Sequence, residues 1–199
     1  TVISVDKEEE LLFVGNEIGN IAIFNLDIKK NEYKKIYTNT DHLSSISHIS
    51  SSKDLNVWVS ASLDGFINIY TLPLNKLIKS IKLDINTLCD YIFISNSPLP
   101  SLVIICEDEI LIYSINGFYI SKEKEYSVIT NPIIFKDFYK NDYLAYIIND
   151  KDVNIRNLPG LTIQSADSND SEIYYICPSE DLKLLYLINK NGTQIDAVK

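Results

Sequence analysis

Methionine is absent from all 199 residues, and the chain opens on Thr1. A translated product begins with methionine, so the expectation is a processed chain or a part of something longer. Long apolar runs are missing as well. None approaches the ~20 residues that a membrane-spanning helix needs, and the N-terminus lacks the basic-then-apolar layout of a secretory leader. A soluble, cytoplasmic protein is expected. Basic residues are scarce, 18 Lys and Arg against 27 Asp and Glu, for a net charge of −9. Binding a phosphate backbone requires a basic patch that displaces counterions, so nucleic acid is excluded as a partner. The densest basic stretches, Lys29-Lys30 with Lys34-Lys35 and the series Lys76, Lys79, Lys82, are interleaved with apolar residues. They read as solvated faces of outer strands. Histidine is limited to His42 and His48, and that spacing in a strand or turn does not converge on a metal. The cysteines Cys89, Cys106 and Cys177 lie far apart with no C-x-x-C spacing, which predicts buried free thiols in a reducing compartment.

What is present is a repeat. Hydrophobic residues make up 46% of the chain and charged residues 23%, enough for a sizeable core. Five segments share one layout: a polar turn, an apolar strand, a second turn, then a strand alternating apolar and polar. The first strand reads Leu11–Val14, Val57–Ser60, Leu102–Ile105, Tyr143–Tyr146 and Leu184–Leu187. The second reads Ile21–Phe24, Ile67–Tyr70, Ile110–Tyr113, Val153–Arg156 and Gln194–Ala197. Between them lie turns such as Asp64-Gly65, Asp108-Glu109, Asp150-Lys151-Asp152 and Asn191-Gly192. Asp-Gly and Asn-Gly tolerate the positive φ of a type I′ hairpin, so that turn is expected at Asp64-Gly65.

Further strands precede four of the pairs, at Ile46–Ile49, Tyr91–Ile94, Ile133–Phe135 and Ile173–Ile176, and outer strands follow two, at Tyr33–Tyr37 and Leu77–Leu83. Polar turns precede every pair, as at Asp6–Glu10 and Ser179-Glu180-Asp181. Period-two alternation dominates and no helical period is sustained. A period of ~40–45 residues with four short strands per unit is the signature of a β-propeller blade. The predicted fold is all-β, a β-propeller, with blades over 1–40, 41–88, 89–130, 131–171 and 172–199. Face-to-face packing of blades buries inner strands on both sides. Leu102–Cys106 is accordingly continuous and apolar, whereas Leu77–Leu83 is broken by Lys79 and Lys82.

Asp41-His42 and the run Ser60-Ala61-Ser62-Leu63-Asp64-Gly65-Phe66-Ile67-Asn68-Ile69-Tyr70 resemble a WD repeat. The Trp-Asp dipeptide that names such repeats is missing. Its places hold Phe24-Asn25, Tyr70-Thr71, Tyr113-Ser114, Arg156-Asn157 and Asp196-Ala197. The resemblance implies a rigidifying set of His, Ser or Thr, Asp and Trp. Only the second repeat approximates it, through His42, a strand serine and Asp64, and the other blades are expected to rely on packing alone. A narrower resemblance covers roughly residues 41 to 160. It rests on Tyr70-Thr71-Leu72-Pro73, Asp90-Tyr91-Ile92-Phe93-Ile94-Ser95, Tyr113-Ser114-Ile115-Asn116-Gly117 and Val153-Asn154-Ile155-Arg156-Asn157-Leu158-Pro159. These are similar to the propeller that follows the BEACH domain in neurobeachin-like and beige-like proteins. The resemblance implies a scaffold of vesicle and membrane trafficking, and five blades of an expected seven, with upstream blades missing and Lys199 near the true C-terminus.

No catalytic, cofactor-binding or metal-binding residues are assigned, and no cofactor. No nucleophile stands at a recognisable elbow beside His42, so a structural pairing of His42 with Asp64 is expected. Gly15, Gly19 and Asn20 are followed by no Lys-Ser or Lys-Thr and so form no phosphate loop. The acidic runs Glu8-Glu9-Glu10 and Asp167–Glu172 lack the ligand order of a calcium loop and read as solvated turns. The sequons Asn169-Asp170-Ser171 and Asn191-Gly192-Thr193 have no consequence in a cytoplasmic protein. The expectation is a non-enzymatic scaffold that binds other proteins or peptides. Any membrane association is expected to be peripheral, at endomembranes, through the rest of the chain or its partners. A ubiquitin-ligase substrate receptor and a structural coat or pore subunit are the alternatives.

Overall fold

The computed structural model describes residues 1–6, 10–84, 88–137, 139–168, 171–179, 185–189 and 195–198. Glu8 and Glu9, Asn169-Asp170, Glu180-Asp181, Leu184, Asn191-Gly192-Thr193 and Gln194 lie outside the described residues. Among the described residues every element is a strand. The first sheet comprises β1 (Val2–Asp6), β2 (Leu11–Gly15), β3 (Ile21–Asp27) and β4 (Glu32–Asn39). The second comprises β5 (Ile46–Ser52), β6 (Val57–Ser62), β7 (Phe66–Thr71) and β8 (Leu77–Lys82). The third holds β9 (Tyr91–Ser95), β10 (Ser101–Cys106), β11 (Glu109–Ser114) and β12 (Tyr119–Lys124). The fourth holds β13 (Ile129–Lys136), β14 (Asp142–Ile148), β15 (Asp152–Asn157) and β16 (Ile163–Ser168). The fifth holds β17 (Ile173–Pro178), β18 (Leu185–Asn189) and β19 (Ile195–Val198). Each sheet follows chain order, and the pairings whose register is resolved are antiparallel. This is the meander that short turns enforce.

Two compact units emerge, residues 1–94 with 113–118 and residues 95–112 with 119–199. In the first, β2 and β3 pack on β5, β6 and β7 through Phe13, Ile21, Ile23, Ile46, Trp58 and Tyr70. Trp58 stacks on Tyr70 with ring centroids 4.1 Å apart and meets Phe13 at 5.3 Å. Its Nε1 donates to Asn75 Oδ1 at 3.1 Å, so the indole is buried without a stranded donor. In the second unit, Ala145, Ile147, Val153, Ile173, Ile176 and Leu187 form the equivalent seam. Inner strands lose alternation as expected: all six residues of β6 and of β10 are buried, whereas β8 is exposed at every position but Ile81.

The structure corrects the sequence reading in several places. β1, β12 and β16 were not expected as strands. Each begins or closes a sheet, and β12, Tyr-Ile-Ser-Lys-Glu-Lys, is mostly exposed. An edge strand is held by its backbone ladder and needs no apolar stripe. Asp6 therefore ends β1, opposite Leu11, and Asp167 extends β16 opposite Val153 rather than lying in a solvated turn. Lys122 and Lys124 pair with Glu109 and Asp108 at 2.7 and 3.3 Å. β13 begins at Ile129, inside the span assigned to the preceding blade.

The Asp64-Gly65 turn also differs. Gly65 alone has positive φ, +82°, and its amide donates to the Ser62 carbonyl at 3.1 Å. The two adjacent positive-φ residues of a type I′ turn occur instead at Asn149 and Asp150, closed by Lys151 N–H on the Ile148 carbonyl. Cys89 and Cys106 are buried free thiols, but Cys177 is exposed because it sits on the outward face of β17.

Candidate functional site

The second sheet builds a buried polar cluster from three elements. His42 lies in the loop four residues ahead of β5, Ser60 on β6 and Asp64 in the β6–β7 turn. Asp64 Oδ2 stands 3.0 Å from His42 Nδ1 and accepts the Leu43 amide at 2.9 Å, while Oδ1 accepts the Phe66 amide at 2.9 Å. His42 Nε2 is 2.8 Å from Ser60 Oγ. A carboxylate only accepts, so Nδ1 carries the ring proton and Nε2 accepts from the Ser60 hydroxyl. Burial acts to raise the Asp64 carboxyl, but the two amides and the His42 ring outweigh it and hold it below the usual range.

Ser, His and Asp in this order are the relay that activates a hydrolytic serine. Here Ser60 is 0% and His42 3% exposed, so no substrate reaches the hydroxyl. The cluster acts as a clamp that fixes the loop before β5 to the β6–β7 turn. Gly19 shares this packing. Its φ is +89°, and a Cβ there would meet the His42 carbonyl oxygen at 2.4 Å. Gly15 lies against Ile46, where a Cβ would sit 2.7 Å from the isoleucine Cβ. Both glycines serve close backbone approach, not phosphate. Tyr70, in the tryptophan's place, joins the core instead. Its hydroxyl donates to Asn39 Oδ1 at 3.4 Å, and burial followed by the Asp41 charge raises its pKa.

The fourth sheet carries a cluster that sequence reasoning missed. Glu125 stands four residues ahead of β13, as His42 does ahead of β5. Tyr146 lies opposite Asn154 on the next strand, as Ser60 lies opposite Asn68, and Arg156 stands where the tryptophan of a WD repeat would be. Arg156 Nη2 donates to Glu125 Oε1 at 2.7 Å, and its Nε to Tyr146 Oη at 2.6 Å. Tyr146 Oη also donates to Glu125 Oε1, and Arg156 Nη1 donates to the Leu161 carbonyl. Burial disfavours the guanidinium charge, but Tyr146 and Glu125 outweigh it and raise the Arg156 pKa further. This blade does not rely on packing alone. The one sequence signal was a lone arginine closing the strand Val153-Asn154-Ile155-Arg156.

Other predicted residues stay apart. His48 is half-buried beside Tyr91, with ring centroids 5.5 Å apart. Desolvation lowers its pKa against the opposing charge of Asp90. Among the described residues no group of three or more His, Cys, Asp or Glu could hold a metal ion, and no helix is long and apolar enough to cross a membrane. Asp142 on β14 accepts Ser95 Oγ at 2.9 Å and the amides of Asn96 and Ser97 at 2.7 and 3.1 Å. Lys136 Nζ lies 2.9 Å from its other oxygen. These contacts also serve the scaffold.

Comparison with solved structures agrees with this architecture. The computationally designed Ika8 protein, a propeller, superposes with a TM-score of 0.74 at 15% identity, over 100% of this chain and 58% of its own. A WD-type propeller chain in the mitotic checkpoint complex superposes with a TM-score of 0.72 at 15% identity, over 94% and 56%. The chain thus spans somewhat more than half the length of these structures. No protein-family profile and no curated protein matches the sequence. The fold is an all-β propeller, and it is consistent with the WD-repeat kind. A fold shared by 1367 matching chains assigns no particular function.

Proposed function

We propose that the chain is a non-enzymatic protein–protein interaction scaffold, the propeller of a BEACH-type protein acting in vesicle or membrane trafficking. The single observation that carries the scaffold reading is the use made of its polar chemistry. The His42–Ser60–Asp64 relay is sealed inside a blade and spends its hydrogen bonds on fixing loops. Rigid loops on a sheet framework are what partner recognition requires. The trafficking assignment rests on the resemblance over residues 41 to 160. On this reading the five sheets are consecutive blades of one propeller. The protein works in the cytoplasm, reaches endomembranes only through the rest of its chain or its partners, and binds neither nucleic acid nor cofactor.

The test is affinity purification of the native protein by a tag, with mass spectrometry of partners and sequencing of the parent transcript. A BEACH domain encoded upstream, with vesicle-tethering or fusion proteins among the partners, is the expected result. A cullin adaptor with an F-box, or an α-solenoid with coat or pore subunits, overturns the trafficking assignment.

A further inference from the structure

Three turns of the first unit are laced together at one end of the first two sheets. Asn16 Oδ1 accepts the amides of Ile18 and Asn20 at 3.1 and 2.9 Å, which closes the β2–β3 turn on itself. The Asn16 carbonyl accepts Ile46 N–H at 3.0 Å, tying that turn to the loop before β5. The loop is tied in turn to the β6–β7 turn by Leu43 N–H on Asp64 and by Leu63 N–H on the Ser45 carbonyl, both at 2.9 Å.

The residues displayed on this platform are unusual for turns. Leu43 is 88% exposed, Ile18 70% and Leu63 49%. Fixed turns would normally carry polar residues outward, and three aliphatic side chains held to water from one hydrogen-bonded framework mark a contact surface. The charge around them is predominantly negative, with one exposed lysine at its margin, Lys82, whose Nζ stands 6.0 Å from the Phe66 ring centroid. The stretches 16–20, 40–45, 63–65 and 83–84 contain Glu17, Asp41, Asp64 and Asp84 and no lysine or arginine. Glu17, Asp41 and Asp84 are exposed. The stretches joining the same strands at the other end, 7–10, 28–31, 53–56 and 72–76, set Lys7, Lys29, Lys30, Lys53 and Lys76 against Glu8, Glu9, Glu10 and Asp54 and so come close to balance. The acidity is therefore a property of this end and not merely of the whole chain.

We propose that this end of the first unit, centred on Leu43 with Ile18 and Leu63, docks a basic peptide segment in which lysine or arginine alternates with large apolar residues. This rests on the scaffold reading above and names the partner's chemistry. The aliphatic side chains supply desolvated contact for its apolar residues, and the surrounding carboxylates attract its cations and steer its approach. The clamp through Asp64 keeps the surface rigid before binding, so little ordering is required of the propeller side.

The test is a random-peptide display library panned against the full chain, with enriched peptides measured by fluorescence anisotropy. The expected peptides are basic and apolar, and their affinity weakens as salt rises. Their affinity falls by about tenfold or more in the variant carrying Ile18→Ser and Leu43→Ser. Glu17→Lys with Asp84→Lys, two exposed positions, provides a second variant that leaves the apolar residues in place. It is expected to lose basic peptides and to tolerate acidic ones. Enrichment of acidic or uncharged peptides overturns the inference. So does binding that ignores both variants and responds instead to Leu74→Ser, at the opposite end, but that outcome leaves the scaffold reading standing. Failure to enrich any peptide overturns both.

Discussion

The second and fourth sheets solve one problem with different chemistry. Both place a polar residue four positions ahead of their first strand, another on the inner strand opposite an asparagine of the next, and a third residue where a WD repeat carries tryptophan. Their outer turns match as well. Asn75 N–H donates to the Thr71 carbonyl at 3.0 Å and Leu161 N–H to the Asn157 carbonyl at 3.0 Å, with positive φ at both Asn75 and Leu161. The second sheet fills its polar places with His42 and Ser60 and completes the set with Asp64, leaving Tyr70 to the core. The fourth uses Glu125, Tyr146 and Arg156, a buried ion pair bridged by a phenol. The blade scaffold thus demands a satisfied polar bridge at this point but does not dictate its residues. Any donor–acceptor set that pairs completely will serve, because the penalty falls on groups left unpaired.

The two bridges differ in what breaks them, and the largest effect is expected in the fourth sheet. Arg156→Ala strands a carboxylate whose partners are buried, and should destabilise the chain by about 3–5 kcal/mol in urea denaturation. A loss below about 1 kcal/mol would mean that Glu125 is rescued by solvent. In the second sheet the set is less charged. His42→Ala should cost about 1–3 kcal/mol, and a double-mutant cycle with Ser60→Ala should show coupling of about 0.5–3 kcal/mol. Simple additivity of the two would break the bridge as drawn. Gly65→Val, in the same turn as Asp64, meets open space but must hold φ at +82°. It should cost about 1–3 kcal/mol, and an unchanged melting temperature would contradict the turn.

The smallest effects are those of pH, and they touch the first unit. Asp64 titrates below the ordinary 3.8 in the folded chain. Its contribution is full above that pH and is lost as pH falls through the lower folded value; Asp64→Asn should flatten this limb of the acid-unfolding curve. His48 is lowered from 6.5 by burial. The fold accommodates the neutral ring, so stability is full above 6.5 and declines as pH drops from there toward the folded value. His48→Gln removes that slope.

Much of this could be read in the residues. The repeat, the inner strands and the His42–Asp64 pairing each carry a local mark: an apolar run, a turn dipeptide, a family motif. The strands missed were β1, at the start of the first sheet, and the outer β12 and β16, whose polar composition matches a loop because an edge ladder needs only backbone. The Glu125–Tyr146–Arg156 bridge was missed for a different reason. Its members are 21, 31 and 10 residues apart in sequence and belong to no motif, and a glutamate in the run Lys122-Glu123-Lys124-Glu125 looks like any solvated charge. The type I′ turn was placed at the wrong hairpin because Asp-Gly is compatible with more than one turn, and the two loops, 63–65 and 149–151, have the same length.

By itself, then, the sequence determined the all-β class, the period and the structural pairing of His42 with Asp64, because periodic burial and turn chemistry are written in neighbouring residues. Tertiary structure alone decided which charges are buried together, which edge strands close the sheets, and that Ile18, Leu43 and Leu63 stand on one laced platform. Those outcomes depend on pairing residues distant along the chain, and the free energy of such a pair is set by burial that only the packed sheets create.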